Sequence, residues 1–295
     1  MRALTIAAPA KINLFLGVGR RRADGYHAVT TVAHALELAD TVRLTPSDAL
    51  TLICDTDLGI PPEDNLAFRA ARAFARAYDV EVLVDIELTK LIPSGAGLGG
   101  GSADAAAVLA GLAHWADLPL DDPILVGAAR SLGADCAFAL VGGAALMRGR
   151  GDELARRLPA IHAHVALLKP PSPVLTGDAY RAFDDAPLPA GDPRPVIDAL
   201  RSGDLPELGA NLANSMTAVS SALVPDITKA LAWVCSRKGV LGAAMTGSGS
   251  AVFAICEDEV SAKAIADGSH PHGWWSAATV TSSPGVIVIG EEECT

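Results

Sequence analysis

The sequence predicts an α+β protein of two domains, and three observations carry this prediction. The 295 residues are more than one domain usually contains and are enough for two hydrophobic cores. Residues 80–89 alternate apolar and polar side chains, which is typical of a half-exposed strand in an antiparallel or mixed sheet. A different pattern begins after about residue 158, so we predict domains over residues 1–157 and 158–295.

The first domain is predicted to open with a hairpin. A strand over residues 4–19 is followed by a turn at Gly25 and by a returning strand over residues 27–38. Two further strands, a helix and the alternating strand are expected next, over residues 41–46, 50–54, 64–78 and 80–89. A glycine-rich segment then runs into a helix over about residues 102–116. A further helix starts at Pro123 and stops at Gly133, and the apolar residues after it are predicted to form a strand.

The second domain is predicted to follow the order β-α-β-β-α-β. Its strands are expected over residues 162–169, 241–246, 251–256 and 274–281. Its helices are expected over residues 178–214, 223–237 and 258–267. This is the order of a ferredoxin-like domain with additional helices in the first crossover.

Composition and charge argue against several classes of function. The net charge is −11 and the sequence pI is about 5.0, so nucleic-acid binding is not expected. No apolar run is long enough to span a membrane, and Lys11 and Asn13 interrupt the apolar start that a signal peptide would need. We therefore expect a cytoplasmic protein without membrane partners. Five widely spaced cysteines are expected to be reduced thiols: Cys54, Cys136, Cys235, Cys256 and Cys294.

The glycine-rich segment Pro93–Ala103 predicts a phosphate site. Five glycines lie within seven residues and run directly into a helix. Glycine lets a ligand approach the backbone closely, and the first turn of a helix offers unpaired N–H groups and a partial positive charge. Together these features are typical of an anion site, most often one for phosphate.

Three other interpretations of this segment are possible. A Walker-type P-loop needs Gly-Lys-Ser/Thr, which the chain does not contain. A dinucleotide fingerprint is formally present as Gly95, Gly97 and Gly100, with Asp121 and Asp122 about 20 residues beyond. The preceding strand alternates instead of being continuously apolar, and five residues separate it from the first glycine, which argues against that fingerprint. A glycine-rich turn without a ligand is the third.

The string Pro-x-x-x-Gly-Leu-Gly-Gly-Gly-Ser over Pro93–Ser102 resembles the phosphate loop of the GHMP small-molecule kinases. Four more segments resemble the family in order along the chain, at residues 9–16, 22–27, 133–138 and 246–251. The resemblance implies the family fold, in which the N-terminal domain is like the second domain of ribosomal protein S5 and the C-terminal domain is ferredoxin-like.

The resemblance implies that the first domain binds ATP. The loop would wrap the phosphates with backbone N–H groups through Pro93, Ser94, Gly95, Ala96, Gly97, Leu98, Gly99, Gly100, Gly101, Ser102 and Ala103. Asn65 and Lys90 match positions that bear on nucleotide binding in the family. From the residues alone, Ser102 and Asn65 are also good helix caps, and Lys90 could be an ordinary surface lysine.

The resemblance also implies a catalytic pair, Lys11 and Asp135. Without it, Lys11 could be a solvated edge lysine and Asp135 a turn or capping residue. A lysine beside a carboxylate would keep that carboxylate ionised and stabilise charge on the transferred group. Whether Asp135 removes a proton or only positions the acceptor stays open, because phosphoryl transfer has a loose transition state.

One branch of the family acts on a cytidine diphosphate sugar alcohol. The resemblance to that branch implies which residues bind the substrate. In that branch the residues that match Tyr26 and Tyr180 enclose the cytosine ring, and the residue that matches His27 bonds to its edge. Asn13 and Thr176 are expected to position the substrate. Tyr26 and His27 could equally be packing residues of a turn.

The expected function is therefore phosphorylation of the 2-hydroxyl of that sugar alcohol by ATP, with Mg²⁺ as the accompanying ion. No protein ligand set for a metal is evident, and no oligomeric state is predicted. Three alternatives are another GHMP kinase acting on a small alcohol, a dinucleotide-dependent oxidoreductase and a non-enzymatic nucleotide sensor. The paired Lys11 and Asp135 argue against the sensor.

Overall fold

The structure is a computed structural model that describes residues 2–293. Its first half contains six strands and four α-helices: β1 Ala3–Arg21, β2 His27–Pro46, β3 Thr51–Cys54, α1 Leu66–Tyr78, β4 Val84–Thr89, α2 Gly100–Trp115, α3 Pro123–Leu132, α4 Ala134–Val141, β5 Ala144–Arg148 and β6 Glu153–Leu158. Its second half contains β7 His164–Lys169, α5 Thr176–Asp185, α6 Arg194–Ser202, α7 Leu205–Ala210, β8 Ala213–Asn214, α8 Thr217–Leu223, α9 Asp226–Cys235, β9 Val240–Met245, β10 Val252–Cys256, α10 Glu259–Gly268, β11 Trp275–Val280 and β12 Ile287–Glu292. None of the helices in the described range has both the length and the apolar character that crossing a bilayer demands.

The larger sheet is built around the long hairpin of β1 and β2. Within residues 2–293 it has the strand order β12-β1-β2-β4-β3, with β5 and β6 attached to β2 and β8 attached to β1. Helices α1 and α2 cover one face, where Leu44 and Ile86 of the sheet join Phe74 of α1 and Leu109 of α2 in one core. The small alanines of α2 let the helix lie close to the sheet, and residues 103–113 are all buried.

Two predicted boundaries in this sheet were wrong. The segments expected at residues 27–38 and 41–46 form one strand of 20 residues, because β2 pairs with β1 along nearly its whole length. The expected strand over residues 80–89 is shorter, since only Val84–Thr89 pairs with β2.

The segment after Gly133 was predicted as a strand and is a helix instead. Residues 134–141 form α4, and Asp135 lies in its first turn. A short apolar run has no periodicity that separates a buried strand from a buried helix, so the sequence left this element ambiguous.

The smaller sheet confirms the ferredoxin-like order. Its strands lie in the order β11-β7-β10-β9 within the described residues, and all three neighbouring pairs are antiparallel. Helix α9 leads into β9 and α10 into β11, as the predicted pattern requires. The first crossover carries the additional helices α5 to α8, between β7 and α9.

The two sheets are interleaved in sequence. The chain moves from the larger to the smaller sheet between β6 and β7, but β8 and β12 return to pair with β1. The predicted boundary at residues 157 and 158 falls at the end of β6 and stays a prediction.

Candidate active site

Two cavities adjoin the glycine loop. The smaller, of about 260 Å³, is lined by Lys11, Asn13, Asp135 and Tyr180 among others. The larger, of about 440 Å³, is lined by the loop itself together with Asn65 and Lys90. Gly95, Gly97, Ser102 and Thr176 line both cavities, so the loop forms the shared wall. A molecule in one cavity therefore lies next to a molecule in the other.

Irregular pairing in β1 surrounds Lys11 and Asn13. The register of β1 against β2 shifts between Pro9 and Lys11 and again between Asn13 and Phe15. Such bulges bend a strand and re-aim its side chains, and they are frequent beside active sites. Both side chains are buried, yet both line the smaller cavity.

The structure brings the expected catalytic pair together. The Nζ atom of Lys11 lies 3.4 Å from Oδ2 of Asp135 and donates a hydrogen bond of 2.8 Å to Oδ1 of Asn13. The lysine side chain is 6 % exposed and that of Asp135 is 41 % exposed. Burial fixes the ammonium group, whereas the carboxylate remains open to a ligand. The arrangement suits a cation that stabilises negative charge beside an accessible acceptor of protons.

Helix α4 orients the side chain of Asp135 toward the smaller cavity. The residue occupies the first turn, where the helix dipole favours a negative charge. The next residue, Cys136, faces the core, and burial raises the pKa of its thiol to about 12. Cys136 is thus anchored in the core, while the neighbouring Asp135 lines the smaller cavity.

Asn13 joins three parts of the site. Its Oδ1 accepts hydrogen bonds from Lys11, from the hydroxyl of Thr246 at 3.1 Å and from the backbone N–H of Gly247 at 2.8 Å. Its Nδ2 donates to the hydroxyl of Thr31 at 2.8 Å. These contacts orient Lys11 and hold the glycine motif of the smaller sheet against β1. The expected contact of Asn13 with substrate stays a prediction.

At two positions of the loop, close contacts with neighbouring residues leave room only for glycine. A Cβ atom on Gly97 would lie 2.2 Å from the carbonyl oxygen of Thr246, and its φ of +77° is in the left-handed region. Gly99, also at φ +77°, precedes α2 as its N-cap, and a Cβ there would be 3.0 Å from the Lys11 side chain. The loop can pass between Lys11 and Thr246 only because these positions lack side chains.

Helix α2 starts two residues earlier than expected, which changes the interpretation of Ser102. Gly99 is the N-cap and no side chain caps the helix, so Ser102 lies inside the first turn. Its side chain is therefore not the cap that the sequence suggested. Ser102 lines both cavities, where its hydroxyl can donate to a phosphate oxygen.

The loop residues expected to bind ATP divide into two groups. Ala96 and Leu98 are buried in the core and anchor the loop, so they can offer only backbone groups. Ala103 is buried inside α2, and its N–H already donates to the carbonyl of Gly99, so the structure does not bring it to the cavity. The other predicted loop residues all line the larger cavity: Pro93, Ser94, Gly95, Ala96, Gly97, Leu98, Gly99, Gly100, Gly101 and Ser102.

Lys90 is held between two buried carboxylates, which the sequence did not indicate. Its Nζ bonds to Asp40 and Asp104, and all three side chains are almost inaccessible. Burial alone would lower the pKa of Lys90, but the charges of Asp104 and Asp40 raise it. Burial raises the pKa of Asp104 to about 7, against the opposing charge of Lys90, and Oδ1 of Asp104 is buried without a hydrogen-bond partner.

This cluster of Asp40, Lys90 and Asp104 fastens both ends of the glycine loop. Oδ1 of Asp40 accepts hydrogen bonds from the N–H groups of Leu91 and Ile92, at 2.6 and 2.8 Å, just before the loop. Asp104 belongs to α2, just after the loop. Lys90 is therefore part of a buried support for the loop rather than a surface lysine.

Asn65 is the N-cap of α1. Its Oδ1 accepts a hydrogen bond of 2.9 Å from the N–H of Ala67, which leaves its Nδ2 free of hydrogen bonds to the described residues. The residue also lines the larger cavity. Capping and nucleotide binding are therefore compatible here, because they use different atoms of one amide.

The expected substrate residues of the second half lie on α5. Thr176 begins the helix and its hydroxyl is 3.0 Å from that of Ser248. Tyr180 lines the smaller cavity one turn later, and burial together with the charge of Asp135 raises the pKa of its phenol to about 12. Its ring lies 5.0 Å from that of His27, centroid to centroid.

Tyr26 and His27 are adjacent in sequence but have different surroundings. His27 is buried against α5, whereas Tyr26 is 56 % exposed. The guanidinium of Arg150 lies 4.8 Å from the centroid of the Tyr26 ring, as in a cation–π contact. Tyr26 thus packs against Arg150, and Tyr180 packs against His27.

Arg150 and Thr31 are further residues of the smaller cavity that the sequence did not reveal. Arg150 lines the smaller cavity, and its guanidinium bonds at 3.0 Å to the buried carboxylate of Asp152. The signal that could have found it is the run Arg148-Gly149-Arg150-Gly151-Asp152, which alternates charge and glycine as tight turns do. Thr31 gave no signal, because it is one threonine of a long strand.

Comparisons with known proteins agree on one family and one fold. Residues 65–143 match the family model "GHMP kinases N terminal domain", and residues 196–268 match "GHMP kinases C terminal". A solved homoserine kinase from Cytophaga hutchinsonii has a TM-score of 0.73 at 21 % identity, covering 97 % of each chain, and shows the shared fold.

Several proteins with higher sequence identity to this chain have the same name. A "4-diphosphocytidyl-2-C-methyl-D-erythritol kinase" of Pelotomaculum thermopropionicum is 38 % identical, over 89 % of this chain and 92 % of its own length. A protein of that name from Methylorubrum extorquens is also 38 % identical, over 95 % and 99 %. A crystal structure of 4-(cytidine 5'-diphospho)-2C-methyl-D-erythritol kinase has a TM-score of 0.78 at 33 % identity, covering 95 % of this chain and all of that one. A buried lysine and an accessible aspartate beside a glycine-rich loop, in a chain with these relatives, place this protein in the GHMP kinase family, among the 4-diphosphocytidyl-2-C-methyl-D-erythritol kinases.

Proposed function

We propose that this chain transfers the terminal phosphoryl group of ATP to the 2-hydroxyl of 4-diphosphocytidyl-2-C-methyl-D-erythritol. The products are the 2-phosphate and ADP, and the reaction belongs to the non-mevalonate (methylerythritol phosphate) route to isopentenyl diphosphate. The observation that carries the proposal is the position of Lys11 and Asp135 in a cavity that shares the glycine loop with a second cavity.

In this proposal ATP occupies the larger cavity. Its phosphates lie against the backbone N–H groups of the glycine loop and the first turn of α2, which is the arrangement that favours an anion. Ser102 donates its hydroxyl to a phosphate at the border of the two cavities. Asn65 and Lys90 lie on the wall that the base and ribose would approach.

The acceptor hydroxyl is placed beside Asp135. Its oxygen forms a bond to the terminal phosphorus as the bond between that phosphorus and the leaving ADP oxygen breaks, and the hydroxyl proton passes to the carboxylate of Asp135 or to solvent. Asp135 accepts the hydrogen bond of the hydroxyl and aligns it for transfer. The ammonium group of Lys11, 3.4 Å away, keeps Asp135 ionised and stabilises the charge on the transferred group.

The rest of the acceptor occupies the smaller cavity. Its diphosphate carries negative charge, and Arg150 supplies a fixed positive charge on the cavity wall. Its base lies near Tyr180, which lines this cavity, and near His27 and Tyr26, which contact the lining residues Tyr180 and Arg150. Stacking accepts any base, so hydrogen bonds must select cytosine.

We extend the proposal to the metal ion and to the location. ATP is used as its Mg²⁺ complex, because the transfer requires neutralisation of phosphate charge, and phosphate oxygens are the ligands of the ion. Within the described residues, no three His, Cys, Asp or Glu side chains are grouped as a metal site. We also propose a cytoplasmic location, supported by the acidic composition and by free thiols at Cys54, Cys136, Cys235 and Cys256; Cys294 lies outside the described residues.

ADP release by the purified protein tests the proposed function. The reaction contains Mg-ATP and either 4-diphosphocytidyl-2-C-methyl-D-erythritol or the same sugar alcohol without its cytidine diphosphate group. We expect turnover with the cytidylated substrate alone. Turnover with homoserine or mevalonate instead would favour another GHMP activity, and binding of NAD(H) without ATP would favour the oxidoreductase.

A further inference from the structure

Three side chains of α5 hold His27. The Nε2 atom of His27 lies 2.6 Å from Oδ1 of Asp184. The ring of Tyr180 is tilted by 30° against the imidazole at 5.0 Å, and Phe183 meets it edge-on at 6.0 Å and 88°. The imidazole side chain is only 7 % exposed. A residue from the start of β2 is therefore fixed by a helix whose Asp184 lies 157 residues later in the chain.

The contact with Asp184 determines which nitrogen of His27 carries the proton. An ionised carboxylate can only accept hydrogen bonds, so Nε2 must be the donor. In the neutral imidazole the other nitrogen, Nδ1, then presents a lone pair. No described residue makes a hydrogen bond to Nδ1, which leaves it as the free acceptor of this ring.

A fixed acceptor can distinguish two pyrimidines. Cytosine carries an amino group at position 4, which donates hydrogen bonds, whereas uracil carries a carbonyl oxygen there, which accepts them. The lone pair of Nδ1 attracts the first and repels the second. If the imidazole were free to exchange its tautomer or rotate, the same ring could satisfy either base.

We propose that Asp184 is a positioning residue that fixes the tautomer of His27 and thereby sets a preference for a cytidine over a uridine substrate. This inference rests on the proposed function, since it concerns the base of the same acceptor. Asp184 acts through His27 and does not touch the substrate. The side chain of Asp184 is 39 % exposed, so solvent screens its charge. Its role therefore depends on the geometry of its hydrogen bond to His27 rather than on a strong buried charge.

The test compares Asp184→Ala with the parent protein, with 4-diphosphocytidyl-2-C-methyl-D-erythritol and with its uridine counterpart as substrates. We expect Asp184→Ala to raise KM for the cytidine substrate about tenfold, to change kcat by less than about threefold, and to reduce the cytidine preference about tenfold. Asp184→Asn should restore most of the preference, because an amide oxygen also accepts from Nε2–H. Asp185→Ala, at the next and exposed residue, is the matched control and should behave like the parent.

Two outcomes overturn the proposal. One is a cytidine preference in Asp184→Ala equal to that of the parent. The other is an equal fall of kcat with both substrates, which would indicate a general structural role for α5. A nitrogen-15 NMR spectrum of the His27 ring makes the test independent of turnover: the parent should show Nε2–H, and Asp184→Ala a mixture of tautomers. A parent that shows Nε2–H yet turns over neither substrate would overturn the proposed function and leave the positioning by Asp184 in place.

Discussion

At the scale of single residues, the pair of Lys11 and Asp135 combines one buried and one accessible charge. Asp135→Asn keeps the size of the side chain but removes its charge, so alignment and proton acceptance are both weakened. We expect kcat to fall about 10²- to 10³-fold while ATP binds with unchanged affinity. Steady-state kinetics and ATP titration check this, with the exposed Asp267→Asn as control.

The same measurement on Lys11→Met shows what the buried ammonium contributes. A comparable loss of kcat is expected, because Asp135 then lacks its partner at 3.4 Å. A folded Lys11→Met or Asp135→Asn protein with near-parental turnover would contradict the mechanism. Melting curves of both variants separate a loss of catalysis from a loss of folding.

Arg150 makes a different kind of contribution, since it lies on the wall that the substrate diphosphate would meet. Arg150→Gln removes a positive charge from the smaller cavity and frees the ring of Tyr26. We expect KM for the cytidylated substrate to rise about tenfold, with kcat and KM for ATP changed by less than about threefold. Arg181→Gln, at an exposed residue of α5, is the control, and an equal effect of both variants would argue for long-range electrostatics instead.

At the scale of elements, the glycine loop is fixed by what surrounds it. Gly97→Ala would place a methyl group 2.2 Å from the carbonyl oxygen of Thr246, in a backbone conformation that alanine avoids. We expect the affinity for ATP to fall at least about tenfold and the melting temperature to drop. Gly127→Ala in α3 is the matched control, because a Cβ there meets nothing within 4 Å and helical alanine is favoured by up to about 1 kcal/mol.

The cluster beneath the loop gives the protein a pH dependence. Burial raises the pKa of Asp104 to about 7 from 3.8, so the folded protein binds this proton more tightly than the unfolded chain does. The contribution of Asp104 to stability therefore declines as the pH rises from about 4 through about 7. We expect Asp104→Asn to lose less stability than the parent between pH 5 and pH 8.

Thermal unfolding of parent and variant over this pH range provides the measurement. Groups that titrate equally in both proteins contribute nothing to the difference between the two melting temperatures. His34 is one of them, and burial lowers the pKa of its imidazole to about 4. Parallel curves for the two proteins would show that Asp104 stays ionised throughout. The cause would then be the opposing charge of Lys90.

At the scale of the whole molecule, local signals and long-range contacts were not equally visible in the sequence. The ferredoxin-like order was predictable because strands and helices have distinct periods and turn residues separate them. Lys11 and Asp135 were identified only through the resemblance, since their sequence separation of 124 residues gives no sign that they meet. Arg150 and the partners of Lys90 were missed for the same physical reason, because tertiary packing creates those contacts.

Strand β12 covers the first part of β1 in the larger sheet. A chain ending at Gly285 would lack that strand and leave Ala3–Ala7 of β1 as an unpaired edge, in the strand that also bears Lys11 and Asn13. Because an unpaired strand edge promotes association, we expect lower melting temperature and aggregation. A chain ending at Glu292 retains β12 and should behave like the parent in calorimetry and light scattering. Equal stability of the two truncated chains would show that β12 is dispensable.

The pairing of β1 with β12 also bears on how this enzyme is made. A ribosome produces β1 first and β12 after all the other strands, so the nascent chain holds an unfinished sheet throughout synthesis. The ferredoxin-like part, whose four strands are complete by Val280, can fold before the part that was started first. The larger sheet is thus completed last, and the interval before its completion is when a chaperone would have most to protect.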